Sequence, residues 1–271
     1  MLLGHPVAHS LSPTFQNAAL AAAGLRVRYD AVDVGDPADL DAVLDDLRRT
    51  GGAGNVTVPY KVDVVARCDV VSPLAARVGA VNTFWFDAER RLIGDNTDVG
   101  GFDAAVAALV PRTTSPTVAV VGAGGSAAAV VAAVAGWPRA RVRVWARRGA
   151  QAATLVARAP HVASVAPTLG AALDGAALVV NATPLGLHER DPHAVPIAQL
   201  PAGASAFDLA YAPARTAWVR AARRAGHPAE DGLGMLVEQG ALAFARWFGR
   251  DPDRGAMWRA LATVTAERAD S

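Results

Sequence analysis

Val118-Ala119-Val120-Val121-Gly122-Ala123-Gly124-Gly125-Ser126-Ala127 runs from an apolar strand pattern through a glycine turn into an alanine- and valine-rich helix pattern. It fits G-x-G-x-x-A, the dinucleotide fingerprint in which alanine takes the third glycine's place. Glycine is needed because the turn is tight and a pyrophosphate must reach bare backbone. The helix N-terminus then offers unpaired N–H donors and a partial positive charge to the anion. A glycine-rich turn without a ligand would read the same way in isolation. The surroundings favour the nucleotide reading: a strand precedes it, a helix follows, and a second strand pattern arrives at Val142–Trp145.

The end of that second strand bears on which nucleotide is bound. An acidic residue about 20 positions past the glycines would bind the ribose 2′-hydroxyl of NAD. This chain has Ala146-Arg147-Arg148 there instead. Guanidinium forks suit a 2′-phosphate, which points to NADP, although two solvated arginines would give the same sequence. Further strand patterns at Leu178–Asn181 and Ala206–Leu209 alternate with helical segments. All-apolar strands separated by helices imply a parallel sheet covered on both faces.

The first hundred residues alternate in the same way. Ser12-Pro13 reads as a helix N-cap with proline at the first helical position, and Gly24 ends that helix. Val27–Val34 alternates like a half-buried strand. Asp36-Pro37 opens a helix that Gly51-Gly52 stops, and short strands are expected at Gly54–Val58 and Ala80–Phe86. A Gly94-Asp95-Asn96-Thr97-Asp98 turn then leads into a helix. Beyond Gly232, Met235, Leu236, Gln239, Leu242, Ala243 and Trp247 recur at helical spacing. The simplest partition is two α/β units joined near Asp98 and near Gly232.

Composition narrows the function classes. The 271 residues are 52% hydrophobic and 19% charged, far from a disordered chain. A net charge of +1 argues against a general nucleic-acid or acidic-membrane binder. One cysteine, Cys68, excludes an internal disulfide and a cysteine-based zinc site. The start lacks a signal-peptide pattern, so a cytoplasmic protein is expected. Residues 113–138 carry no charge, yet their glycine-rich centre reads as strand, turn and helix rather than a membrane span.

Of the 26 basic residues, 25 are arginine and one, Lys61, is lysine. Lysine titrates when desolvated and arginine does not, so this acid–base chemistry is closed to the 25 arginines. Lys61 follows a strand pattern ending at Pro59, and Asp98 closes the polar turn at 94–98. A surface lysine and a helix-capping aspartate would look the same, and spacing alone does not bring the two together. The histidines lie in loop patterns, and His188 and His193 lack a helical metal-ligand spacing.

Several motifs in this order resemble the shikimate dehydrogenase family over nearly the whole chain. They are Gly4-His-Pro-Val-Ala-His-Ser10-Leu-Ser12-Pro13, Asn55-Val-Thr57-Val-Pro-Tyr-Lys61, Gly79-Ala-Val-Asn82-Thr83 and Asp95-Asn-Thr-Asp98. After the glycine turn come Asn181-Ala-Thr183-Pro, Asp208-Leu-Ala-Tyr211 and Asp231-Gly-Leu-Gly-Met-Leu-Val-Glu-Gln239. The resemblance implies an α/β fold of two domains separated by an active-site cleft. Residues 1–97 and 233–271 would form a substrate domain, and 98–232 a Rossmann-type doubly wound NADP domain. It implies NADPH-dependent reduction of 3-dehydroshikimate to shikimate, with Lys61 and Asp98 as the catalytic pair and no metal.

By the same resemblance, Ser10, Ser12 and Tyr211 would bind the substrate carboxylate. Thr57, Lys61, Asn82, Asp98 and Gln239 would surround the ring hydroxyls. Gly122, Ala123, Gly124, Gly125, Ser126, Ala127, Arg147, Arg148, Thr183, Leu209 and Gly232 would hold the cofactor. Two departures stand out: Gln16 replaces a histidine common in the family, and Ala146-Arg147-Arg148 replaces its usual Asn-Arg-Thr. The serine at position 10 favours shikimate over quinate, because quinate-preferring relatives more often carry threonine there. A non-catalytic NADP sensor would have no need of Lys61 and Asp98. The implied partner is a small-molecule substrate, not nucleic acid or a membrane, with the chain acting as a monomer or homodimer.

Overall fold

A computed structural model describes residues 1–110 and 115–269 of the chain. The backbone separates into two compact units, one formed by Met1–Asp98 with Leu236–Ser271, the other by Val99–Met235.

The first unit opens with β1 (Leu2–Gly4), α1 (Ser12–Ala22), β2 (Ala31–Asp33), α2 (Pro37–Thr50) and β3 (Ala53–Val56). It continues with β4 (Val70–Val71), α3 (Pro73–Val78), β5 (Thr83–Phe86) and β6 (Leu92–Asp95). The strands form a mixed sheet in the order β2-β1-β3-β5-β6-β4, in which β5 runs antiparallel to both neighbours. Leu3, Leu40, Leu44, Val56, Val64, Phe84 and Leu92 pack into its core. The helix at Asp36-Pro37 forms as expected: Asp36 accepts from Ala38 N at 2.8 Å, and Gly51 ends it with φ +74°.

Three local expectations change. Helix α1 starts at Ser12, with Leu11 as its cap residue and no side-chain cap. Leu11 is buried at the helix mouth, and Ser12 N donates to Ser10 Oγ at 3.2 Å, so the hydroxyl serving this end is Ser10's. The strand expected at Val27–Val34 shrinks to β2, which pairs on one side only, while Asn17 holds the Tyr29 backbone through two hydrogen bonds. The polar turn is shorter than its composition suggests, because Gly94 and Asp95 belong to β6.

From Asp98, the last residue of this stretch of the first unit, α4 (Asp98–Ala105) leads into the second unit, which contains β7 (Thr117–Val121), α5 (Gly125–Val134), β8 (Arg141–Trp145), α6 (Gly149–Val156) and β9 (Ala163–Val165). Then come α7 (Leu169–Leu173), β10 (Leu178–Asn181), β11 (Ser205–Asp208), α8 (Ala217–Arg224) and β12 (Ala229–Asp231). Helices α9 (Leu233–Phe248) and α10 (Arg254–Ala269) return the chain to the first unit, where α10 lies against α1. Of the charge-free stretch, residues 113 and 114 lie outside the described residues; the rest contains β7, the glycine turn and α5. Among the described residues no helix is long and apolar enough to cross a membrane.

All strands of the second sheet are parallel, in the order β9-β8-β7-β10-β11-β12. This is the doubly wound dinucleotide-binding order, which reverses between its first and fourth strands, here β7 and β10. Strands β10 and β11 are buried at every residue, which is why they read as apolar runs rather than alternating patterns. Trp218 of α8 fills the adjoining core and donates to Val195 O at 2.9 Å.

Candidate active site

In the first unit, the strand ends gather a buried polar cluster. The Lys61 backbone is held where Val81 N donates to its carbonyl at 2.7 Å. From there the side chain reaches Asp98, and Nζ donates to Oδ2 at 2.7 Å. The two side chains are only 14% and 6% exposed, so water screens the pair weakly. Asp98 also sits in the first turn of α4, where the helix dipole favours a carboxylate.

Asn82 holds the other carboxylate oxygen. Its Nδ2 donates to Asp98 Oδ1 at 2.8 Å, and also lies 3.0 Å from Thr97 Oγ1 and 3.2 Å from Gln239 Oε1. An amide has two N–H groups, so three acceptors compete for them and the charged one has the advantage. Thr97 N returns a bond to Asn82 Oδ1 at 2.7 Å, and Asn55 donates to the Asn82 carbonyl at 3.1 Å. The structure therefore joins Lys61, Asn82, Asp98 and Gln239 into one network.

Around it, Asp95 fastens the turn. It accepts from Asn96 N and from Arg246 of α9, both at 2.8–2.9 Å, and from the Ser72 hydroxyl that caps α3. Helix α9 is also tied to α1, where Gln16 Nε2 donates to Gly240 O at 3.0 Å. Gln16 thus spans the helix that begins with Ser12 and the one that carries Gln239, while its own Oε1 is buried without a partner. Ser12 is buried and Ser10 half-buried in the β1–α1 connection; Thr57 is half-buried after β3, its backbone N bonded to Leu3 O at 2.8 Å. The sequence motifs contained Asn55 and Thr97 but gave no sign of their roles; a polar residue flanked by buried strand positions was the available signal.

In the second unit, the glycine turn joins β7 to α5 beside the sheet's reversal point. Gly122 has φ +115°, and a Cβ there would lie 2.6 Å from Ala182 O, so only glycine fits. Gly124 is the cap residue of α5, with no side-chain cap and open space where a Cβ would stand. Ala123, Gly125 and Ser126 are half-exposed beside it, and Ala127 is buried in the helix–sheet contact. An uncapped helix end under an open glycine fits a pyrophosphate. Arg147 and Arg148 are exposed at the end of β8.

Thr183, Leu209 and Gly232 occupy the turns after β10, β11 and β12, and Tyr211 follows Leu209 in the same turn. Beneath them Asp208 is fully buried, and burial pushes its carboxyl up to about 6, with the neighbouring Asp231 adding to the shift. Burial likewise raises Asp231, whose Oδ2 has no hydrogen-bond partner. Among the described residues, no group of three or more His, Cys, Asp and Glu side chains is arranged to hold a metal ion.

Comparison with known proteins shows the family. The family model of the shikimate dehydrogenase substrate binding domain matches residues 2–84, and that of the shikimate 5′-dehydrogenase C-terminal domain matches 232–262. A shikimate dehydrogenase (NADP+) of Methylobacterium radiotolerans is 42% identical over 258 residues, 93% of this chain and 91% of the relative. The crystal structure of shikimate 5-dehydrogenase from Thermus thermophilus in complex with shikimate is 40% identical, with a TM-score of 0.86 over 98% of both chains. A quinate dehydrogenase from Corynebacterium glutamicum in complex with NAD is 30% identical, with a TM-score of 0.87 over 97% of both chains. By identity sustained over almost its full length, the chain belongs to the NADP-dependent shikimate dehydrogenase family.

Proposed function

We propose that the protein catalyses the reversible NADPH-dependent reduction of 3-dehydroshikimate to shikimate. The observation that carries this reading is the Lys61–Asp98 hydrogen bond inside a network that also includes Asn82 and Gln239. The chemistry that the bound cofactor supplies is a hydride for the C3 carbonyl carbon.

Lys61 donates a hydrogen bond to the carbonyl oxygen, where negative charge develops as the alcohol forms. Asp98 orients the ammonium and, with Lys61, manages the proton on the new hydroxyl. Thr57, Asn82 and Gln239 bind the ring hydroxyls, and Ser10, Ser12 and Tyr211 bind the carboxylate. In this reading the first unit, with its C-terminal helices, is the substrate domain. The second is the NADP domain: the 122–127 turn holds the pyrophosphate, Arg147 and Arg148 the 2′-phosphate, and Thr183, Leu209 and Gly232 complete the cofactor site. The enzyme acts in the cytoplasm as a monomer or homodimer, without nucleic-acid partners.

Specificity constants for shikimate and quinate, each with NADP+ and NAD+, test the assignment. Shikimate with NADP+ should give the highest value. A preference for quinate or NAD+ would move the protein to the chemistry named for the Corynebacterium relative, and no turnover of either acid would reject the reading.

A further inference from the structure

The turns after β10, β11 and β12 bear the residues assigned to the cofactor, yet they belong to separate crossovers and need a common anchor. Asn181, Asp208 and Asp231 are direct lateral neighbours at the ends of these strands. Asp208 is fully buried between the other two, and three donors converge on it. Its Oδ1 accepts from Asn181 Nδ2 at 2.8 Å and from Ala210 N at 3.1 Å; its Oδ2 accepts from Thr216 Oγ1 at 2.7 Å.

Two of these bonds lead into the turns after β10 and β11, and the third ties the carboxylate to Thr216, the cap residue of α8. Asn181 Oδ1 accepts from Thr183 N at 3.0 Å and from Thr183 Oγ1 at 2.7 Å, and its Nδ2 also donates to Leu185 O at 2.7 Å. The bond to Ala210 N fixes the residue between Leu209 and Tyr211. Gly232 N in turn donates to Ala210 O at 2.9 Å. The turn after β12 presses so closely on its neighbour that a Cβ on Gly232 would lie 2.3 Å from Leu209 O.

We propose that Asp208 is a positioning residue for cofactor binding: its buried carboxylate locks the turns carrying Thr183, Leu209 and Gly232 into one surface. This rests on the NADP reading above and goes beyond it, since Asp208 acts through its neighbours. A carboxylate suits the task because it only accepts, and so takes all three donors at once. Aspartate here is costly in isolation, since burial and Asp231 on the next strand both disfavour its charge; Arg215 and Glu230 act on Asp231 with opposite signs.

The test compares Asp208→Ala, Asp208→Asn and Thr216→Val with the wild type, measuring NADPH dissociation constants by fluorescence, steady-state constants and thermal unfolding. Asp208→Ala should weaken NADPH binding and raise the KM for NADP+ about tenfold, the worth of one charge-assisted hydrogen bond. The KM for shikimate should change less than that for NADP+, since of its assigned residues only Tyr211 lies on these turns. Asp208→Asn should recover most of the affinity, because its amide still accepts from Asn181 and Ala210 and can donate to the Thr216 oxygen. A packing role alone would lower the unfolding temperature and leave the affinity of the folded protein unchanged. Should Asp208→Ala fail to fold, Thr216→Val decides instead: it removes one donor at nearly constant volume and should weaken NADPH binding about threefold. Wild-type NADPH affinity in folded Asp208→Ala, or in Thr216→Val if the first variant does not fold, overturns the inference alone. Absence of NADPH binding by the wild type overturns the proposed function and this inference with it.

Discussion

Lys61 Nζ donates to Asp98 Oδ2 across 2.7 Å, joining residues 37 positions apart in the chain. The first expected outcome follows from this contact. Lys61→Ala should lower kcat by about 10²–10⁴, the usual worth of a positioned acid–base group, while circular dichroism shows a folded protein. Near-normal turnover in that variant would sink the mechanism.

Asn82→Ala should cost both activity and stability. It strips Asp98 Oδ1 of its donor and leaves Thr97 N, now buried, without an acceptor. Urea unfolding should show a loss of about 1–3 kcal/mol, the penalty for unsatisfied buried polar groups. The fold-change in kcat should exceed the fold-change in the NADPH dissociation constant.

Arg147→Ala tests the 2′-phosphate assignment. The exposed guanidinium at the end of β8 should matter for NADP+ and little for NAD+, which lacks that phosphate. The KM for NADP+ is expected to rise several times more than the KM for NAD+. Equal changes would remove Arg147 from the cofactor site.

Asp208 makes stability depend on pH. Its folded carboxyl sits at about 6 against an ordinary value of 3.8, so between those values the folded state binds more protons than the unfolded one. Its contribution is fully present below about 3.8 and is lost as pH rises through about 6, by about 3 kcal/mol in all. Asp231, raised for the same reason, acts in the same direction. The difference in unfolding free energy between wild type and Asp208→Asn, followed from pH 4 to 7, should shift against the wild type by most of that amount. A constant difference would mean that the carboxyl is not raised.

Gly240→Ala tests the contact between α1 and α9. The new Cβ would lie 2.3 Å from a ring carbon of the fully buried Phe15. Overpacking of this kind costs about 1–3 kcal/mol. Since Ser12 begins α1 and Gln239 precedes Gly240, the KM for shikimate should rise while NADPH affinity holds. An unchanged KM would uncouple this contact from the substrate residues.

The second unit was the more legible. Its glycine turn and the strands at Leu178–Asn181 and Val142–Trp145 stand where apolar runs and turn residues indicated, because a parallel sheet buried on both faces writes itself as uninterrupted apolar segments. Strands β1, β2, β4, β9 and β12 have two or three residues each, too short for a period to emerge, and they form because neighbouring strands offer their edges. That is also why the alternation at Val27–Val34 overstated β2.

The site divides along the same line. Sequence alone determined the glycine turn, the arginines at the end of β8, and the singularity of Lys61, since each is a property of residue type and near neighbours. Only tertiary structure decided that Asn82 would stand between Asp98 and Gln239, the latter 157 residues away. It likewise put Asp208 between the turns after β10 and β11, with the turn after β12 joined to them through Ala210. Hydrogen bonds between distant side chains leave no periodic trace in a sequence: they exist only once the sheets have brought strand ends together and burial has left those polar groups no partner but one another.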